Sequence, residues 1–137
     1  AFLSERGWSA EEFQSLLSSR IVDLYPHPNG FALVRCVAGE AELLTLAVDP
    51  EHRRRGIADA LMRGWMGAAQ ADIAFLEVAA DNVAAQQLYL KHGFAEQGRR
   101  RGYYRRAQGP RIDAVLMKAA LTHRQVPETS VKDPETG

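Results

Sequence analysis

The sequence predicts an α+β fold, an α/β sandwich in which a mixed sheet carries helices on both faces. Two patterns lead to it. FALVRCV (residues 31–37) and ELLTLAV (42–48) are β-like runs joined by a short segment containing Gly39, as in an antiparallel hairpin. A helical period over residues 56–69 then leads into the apolar run IAFLEVA (73–79). A strand–helix–strand succession implies a right-handed crossover with parallel pairing.

The elements follow in order. Residues 9–19, SAEEFQSLLSS, open with Ser9 as N-cap and Glu12 three positions on, a capping box, and Phe13, Leu16 and Leu17 share one helical face. Residues 23–30 hold Pro26, Pro28, Asn29 and Gly30 and read as a loop or turn. Asp49-Pro50 ends the second strand of the hairpin. In the next helix Ile57, Leu61, Trp65 and Ala68 recur at helical spacing. The run 73–79 is apolar apart from Glu77, which suits a central strand. Residues 81–93 form a helix with Asp81 or Asn82 as cap and Gly93 in the left-handed position beyond its end. A strand is expected at 94–97, an arginine- and glycine-rich connection at 99–110, and a last strand at 112–121. Residues 1–121 therefore make one domain. The polar segment 122–137, with two prolines and no periodicity, reads as a disordered tail.

Composition narrows the partners. Among 137 residues, Lys plus Arg equals Asp plus Glu, so the formal net charge is zero. That balance argues against a general polyanion binder such as a DNA-binding protein. Arginines nevertheless cluster at 53–55, 99–101 and 105–106, a distribution suited to a small anionic ligand. The single cysteine, Cys36, excludes an internal disulfide. No apolar run approaches the roughly 20 residues that span a bilayer, so no membrane partner and a cytoplasmic location are expected. The four histidines show no metal-ligand spacing, and no metal is expected.

VDPEHRRRGIADALM (48–62) is the most informative stretch. Three arginines before a helix fit a solvated charge run, a nucleic-acid patch or one wall of a phosphate cradle. The cradle has a physical basis. The first N–H groups of a helix lack intrahelical partners and, with the helix dipole, attract anions. Gly56 allows close backbone approach, Ala58 keeps the next position small, and arginines offer forked donors to phosphate oxygens. The spacing is neither that of a P-loop nor that of a dinucleotide fingerprint.

The pattern Arg53-x-x-Gly56-x-Ala58 resembles the acyl-CoA motif of the GNAT acetyltransferases, Arg/Gln-x-x-Gly-x-Gly/Ala. Its setting, LLTLAVDPEHRRRGIADALM, looks like the strand, turn and helix that carry that motif. FLEVAADNVAAQQLYLKHGF (75–94) resembles the second half of the acetyl-CoA site, in which an Asn precedes a helix ending in Leu-Tyr-x-x-x-Gly-Phe. RRRGYYRRAQGPRIDAVLMKAAL and the Trp-Ser segment GWSAEEF resemble the RimI branch, whose members acetylate the N-terminal amine of a ribosomal protein. Together the match covers most of residues 7 to 121. It departs from the pattern at three positions. Ala58 stands where a second Gly is commoner, Asp59 puts a carboxylate where a basic or neutral residue is usual, and Ile112 replaces a Glu of that branch. The first strand of the family fold is short or missing.

The resemblance implies acetyl-CoA as cosubstrate and a protein or peptide N-terminus, in that branch a ribosomal protein, as acceptor. It places the cofactor along Leu46, Ala47 and Val48, which would pair with the pantetheine arm. The pyrophosphate would lie in the turn Arg53, Arg54, Arg55, Gly56, Ile57, Ala58 and Asp59. Asn82 would hold the arm, and the Val48 N–H would meet the oxyanion. Glu77, costly inside an apolar strand unless paired or solvated, would be the general base, and Tyr89 the general acid toward the thiolate. Trp8, Tyr103 and Tyr104 would border the acceptor. Without the resemblance, Glu77 reads equally as a solvated or arginine-paired carboxylate and Tyr89 as a core tyrosine. The arginine–tyrosine segment then reads as a solvated loop or an RNA-stacking platform. A small-molecule amine is the alternative acceptor, and a non-catalytic RNA- or ribosome-binding module is the alternative to an enzyme.

Overall fold

The computed structural model describes residues 9–19, 21–105 and 107–121. Trp8, Arg106 and the expected tail lie outside them. The element order is α1 (Ala10–Ser18), β1 (Val22–His27), β2 (Gly30–Val37), β3 (Glu40–Val48), a short 3-10 turn (Pro50–His52), α2 (Ile57–Ala68), β4 (Ile73–Ala79), α3 (Val83–Lys91), β5 (Ala95–Tyr104) and β6 (Ile112–Ala120). One six-stranded sheet runs in the order β1-β2-β3-β4-β6-β5. The pair β3–β4 is parallel, as the crossover through α2 requires, and the other pairs are antiparallel.

Helices cover both faces. Against one face, Leu61, Met62 and Trp65 of α2 and Tyr89 of α3 bury Val34, Leu43, Leu46, Leu76, Val78, Val115 and Met117. Trp65 is fully buried, donates its indole N–H to the Met62 sulfur at 3.3 Å and lies beside the Phe94 ring. On the other face Phe13 of α1 meets Val22, Leu33 and Leu44, and its ring stands edge-on to Phe31 at 5.8 Å. The Ser9–Glu12 capping box forms as expected, each backbone N–H donating to the partner side chain at 3.0 Å.

Two stretches differ from the sequence reading. Residues 23–27, expected as part of a loop, belong to β1 (Val22–His27), with Pro26 opposite Phe31. β1 is the edge of the sheet, where a residue without an N–H is tolerated because one side of the strand has no ladder to join. Residues 99–104, expected as connection, belong to a ten-residue β5. Arg100 lies opposite Ala114 and Tyr104 opposite Ile112, so β5 carries two extra residues in that interval. Gly102 (φ 58°) takes up this bulge, and its N–H donates to Asp113 Oδ1 at 2.9 Å. Pairing with β6 therefore overrides the turn-like composition.

Candidate active site

Strands β3 and β4 pair only where Glu40–Glu42 meet Ile73–Phe75. β3 continues to Val48 and β4 to Ala79, so beyond this short ladder the two strands part and leave a fork at their carboxyl ends. The chain leaves each strand toward a helix that starts at the fork. After β3 comes the arginine turn and α2; after β4 come Asp81, Asn82 and α3. Ligands in open sheets of this kind bind outside the carboxyl ends of strands, where neighbouring connections diverge.

The backbone of β3 is directed into this fork. The Asp49 N–H donates to Asn29 O at 2.8 Å on the β2 side. Successive amides of a strand point to opposite sides, so the Val48 N–H points toward the side that β4 has left. Val48 faces Gly30 across the β2–β3 pair. A Cβ on Gly30 would lie 2.4 Å from Ala47 O, so only glycine permits this close approach. Leu46, Ala47 and Val48 are themselves buried.

Asp49 Oδ1 accepts from the Glu51 N–H and starts the 3-10 turn. Arg53, Arg54 and Arg55 follow, all exposed. Arg54 (φ 65°) and Gly56 (φ 75°) adopt left-handed backbone, and Gly56 is the N-cap of α2 with no side chain to fill the cap. The leading N–H groups of α2, from Gly56, Ile57 and Ala58, thus have no capping oxygen from the cap residue and lie beside three arginines. This arrangement fits an anion with several oxygens. A carboxylate at Asp59 would oppose such an anion. It turns instead to the end of α3, where Oδ1 lies 2.8 Å from His92 Nε2 and 3.0 Å from Lys91 Nζ. Hydrogen bonds from His92 and then Lys91 hold the Asp59 carboxyl below the ordinary carboxylate range.

Asn82, rather than Asp81, caps α3: its Oδ1 accepts from the Ala85 N–H at 3.1 Å. Gln86, which the sequence reading passed over, donates to Ala79 O and Ala80 O and fixes the turn between β4 and α3. Tyr89 is buried on the inner side of α3, its ring edge-on to Phe94 at 6.1 Å.

Glu77 lies on β4 two residues past the last residue paired to β3, on the face away from α2 and α3. Its side chain is 18% exposed and Oε2 lies 3.1 Å from Arg100 Nε. The Arg100 guanidinium sits 5.1 Å over the Tyr103 ring, and Tyr103 meets Tyr104 edge-on at 5.1 Å. Glu77, Arg100, Tyr103 and Tyr104 are thus one connected group. Glu77 also lines a depression of about 510 Å³ together with Val37, Glu42, Phe75, Gln97 and Leu116 among others. Arg100 as the partner of Glu77 was not legible in the sequence, because the contact crosses a whole strand. Among the described residues no cluster of His, Cys, Asp and Glu could hold a metal, and no helix is long and apolar enough to cross a membrane.

A parallel pair that forks at its carboxyl ends, with an uncapped helix N-terminus beside arginines, is the layout of an acyl-CoA-using transferase. Residues 8–96 match the GNAT acetyltransferase domain, and the chain belongs to that family as an acetyl-CoA-dependent N-acetyltransferase. It is 36% identical over 122 residues to the [ribosomal protein bS18]-alanine N-acetyltransferase of Escherichia coli K12, covering 84% of this chain and 82% of that one. Over a shorter span of 66 residues it is 44% identical to the N-alpha-acetyltransferase RimI of Mycobacterium tuberculosis, 48% of this chain and 42% of that protein. The crystal structure of the Escherichia coli ribosomal-protein-S18-alanine N-acetyltransferase superposes with a TM-score of 0.75 at 27% identity, covering 94% of this chain and 86% of that one. A GNAT acetyltransferase of Elizabethkingia anophelis, crystallised with acetyl-CoA, shares the fold with a TM-score of 0.68 at 16% identity, covering 82% and 83%.

Proposed function

We propose that this protein acetylates the N-terminal α-amine of a protein, and that the acceptor is a ribosomal protein, as in the bS18-alanine N-acetyltransferases it resembles. The observation that carries the reading is the fork. Strands β3 and β4, which carry Val48 and Glu77, part beyond Glu42 and Phe75, and each leads on to a helix.

Acetyl-CoA supplies the activated acetyl thioester. The leading amides of α2 with Arg53, Arg54 and Arg55 take its pyrophosphate. Gly56 and Ala58 admit it closely, and Leu46–Val48 and Asn82 line its arm. An α-amine has pKa ≈ 7.7–8.0 and arrives largely as ammonium, so Glu77 first takes one proton and frees the lone pair that attacks the carbonyl carbon. The Val48 N–H receives the charge that develops on the carbonyl oxygen. The C–S bond then breaks as the Tyr89 hydroxyl donates a proton to the departing sulfur, and the second proton lost by the nitrogen restores Tyr89 through solvent. Tyr103 and Tyr104 flank the incoming chain.

The test is acetyl transfer, read by mass, to two sets of short peptides. One set has a free N-terminal Ala, Ser or Gly, and the other a blocked N-terminus and an internal Lys. Transfer to the first set only, falling about 10²–10⁴-fold in Glu77→Gln, is the expected outcome. Transfer to small amines but to neither peptide set would overturn the protein acceptor.

A further inference from the structure

We propose that Arg100 is a positioning residue for the base: it spans β6 to hold the Glu77 carboxylate aimed at the fork, and ties that carboxylate to Tyr103. This rests on the reading of Glu77 as base.

Strand order brings the two together. β4 and β5 are not neighbours; β6 lies between them, so their backbones are about 9–10 Å apart. Two rows cross the three strands on this face: Glu77–Leu116–Gly98 and Ala79–Ala114–Arg100. Glu77's own row ends in a residue with no side chain, and the residue between Ala79 and Arg100 is an alanine. These small residues clear a diagonal path, and Arg100 lies along it, its Nε 3.1 Å from Glu77 Oε2. The bulge at residues 101–103 folds the Tyr103 ring back over the same guanidinium at 5.1 Å. An exposed arginine held at both ends differs from a solvated charge: a carboxylate fixes its direction and an aromatic face covers it.

The remaining charges on this face are already engaged or further along it. Glu42 of β3 is paired with Arg35 of β2, and Lys118 of β6 sits 5.8 Å over the Phe75 ring. Glu40 lines the same depression. Asp113 of β6 alternates to the other face with Val115, where it accepts from the Gly102 N–H and lies 4.0 Å from Arg99. Among the described residues, Arg100 makes the one ion pair recorded for Glu77.

The pair fixes the direction of the Glu77 carboxylate, and a base turned off its line of approach loses rate while substrate binding is untouched. In Arg100→Gln kcat is expected to fall about tenfold with KM unchanged. Arg100→Lys keeps a cation within reach of the carboxylate and should recover most of that loss. In a Glu77→Gln background the Arg100→Gln change should add no further loss, since it acts through the group already removed. Melting curves matching the wild type separate these effects from misfolding. If Glu77→Gln abolishes turnover while Arg100→Gln leaves kcat unchanged, or Arg100→Lys loses as much as Arg100→Gln, the positioning role is overturned and the base stands. If Glu77→Gln retains wild-type turnover, the base itself is overturned.

Discussion

Asp59 shows at the scale of one residue how a misplaced sign is resolved. It stands in the first turn of α2, beside the arginines that would meet an anion, yet its carboxylate is spent on His92 and Lys91. The backbone N–H stays at the anion end of the helix while the charge leaves it. The carboxyl titrates lower in the fold than its ordinary 3.8, so the folded protein binds a proton there less readily than the unfolded chain. The resulting stability is fully present above that ordinary value and disappears as pH falls through the lower folded one. Asp59→Asn should therefore melt roughly 3–5 °C lower near neutral pH, the equivalent of about 1 kcal/mol for a pair of this exposure. The difference from wild type should close in strong acid. Thermal melts of both proteins across the acid range check this. A difference that persists at the lowest pH would mean that Asp59 contributes through helix capping or packing rather than its charge.

At the scale of elements, the β2–β3 pair fixes the strand end that forms one edge of the fork. Gly30 matters through space: its φ is ordinary, but a methyl group there would press on the Ala47 carbonyl and the Val48 Cα. Gly30→Ala must push that backbone away. Overpacking of this kind costs about 1–3 kcal/mol. Because the Val48 N–H moves with it, kcat is expected to fall by up to about 100-fold, the scale of loss that a displacement of about 1 Å brings. Gly56 differs: no atom crowds its missing side chain, and its left-handed backbone is what other residues resist. Denaturant melts with steady-state kinetics on Gly30→Ala test the first point; unchanged kcat in a destabilised protein would show that Val48 had not moved.

For the molecule as a whole, the β3–β4 junction is a short parallel ladder between two antiparallel halves, β1–β3 and β4–β6. Buried side chains of α2 and α3 join the halves from one face. A ligand seated in the fork would touch both halves, and it binds only the folded state. Acetyl-CoA at about 100 times its Kd should add about 2.7 kcal/mol, raising the melting temperature by roughly 10 °C. Acetate at the same concentration should leave it unchanged, because the arginine turn and helix amides have no phosphate to hold. An unchanged melting temperature with saturating acetyl-CoA would sink the cradle.

The sequence by itself determined what depends on near neighbours: the hairpin at Gly39, the arginine–glycine start of α2, the Ser9–Glu12 box and a cap for α3 at Asp81 or Asn82, which the structure resolved as Asn82. Each is set by φ/ψ preferences and hydrogen bonds within a few residues, so spacing alone reveals it. Family motifs in order added the acetyl-CoA-dependent enzyme class. Only the tertiary structure decided that Pro26 lies in an edge strand, that residues 99–104 join the sheet, that Asp59 turns to His92, and that Arg100 reaches Glu77. Those outcomes depend on which strand lies at the edge, which lies between two others, and which helix ends meet. Sheet order brings together charges 23 and 33 positions apart in the chain, and no local period records that.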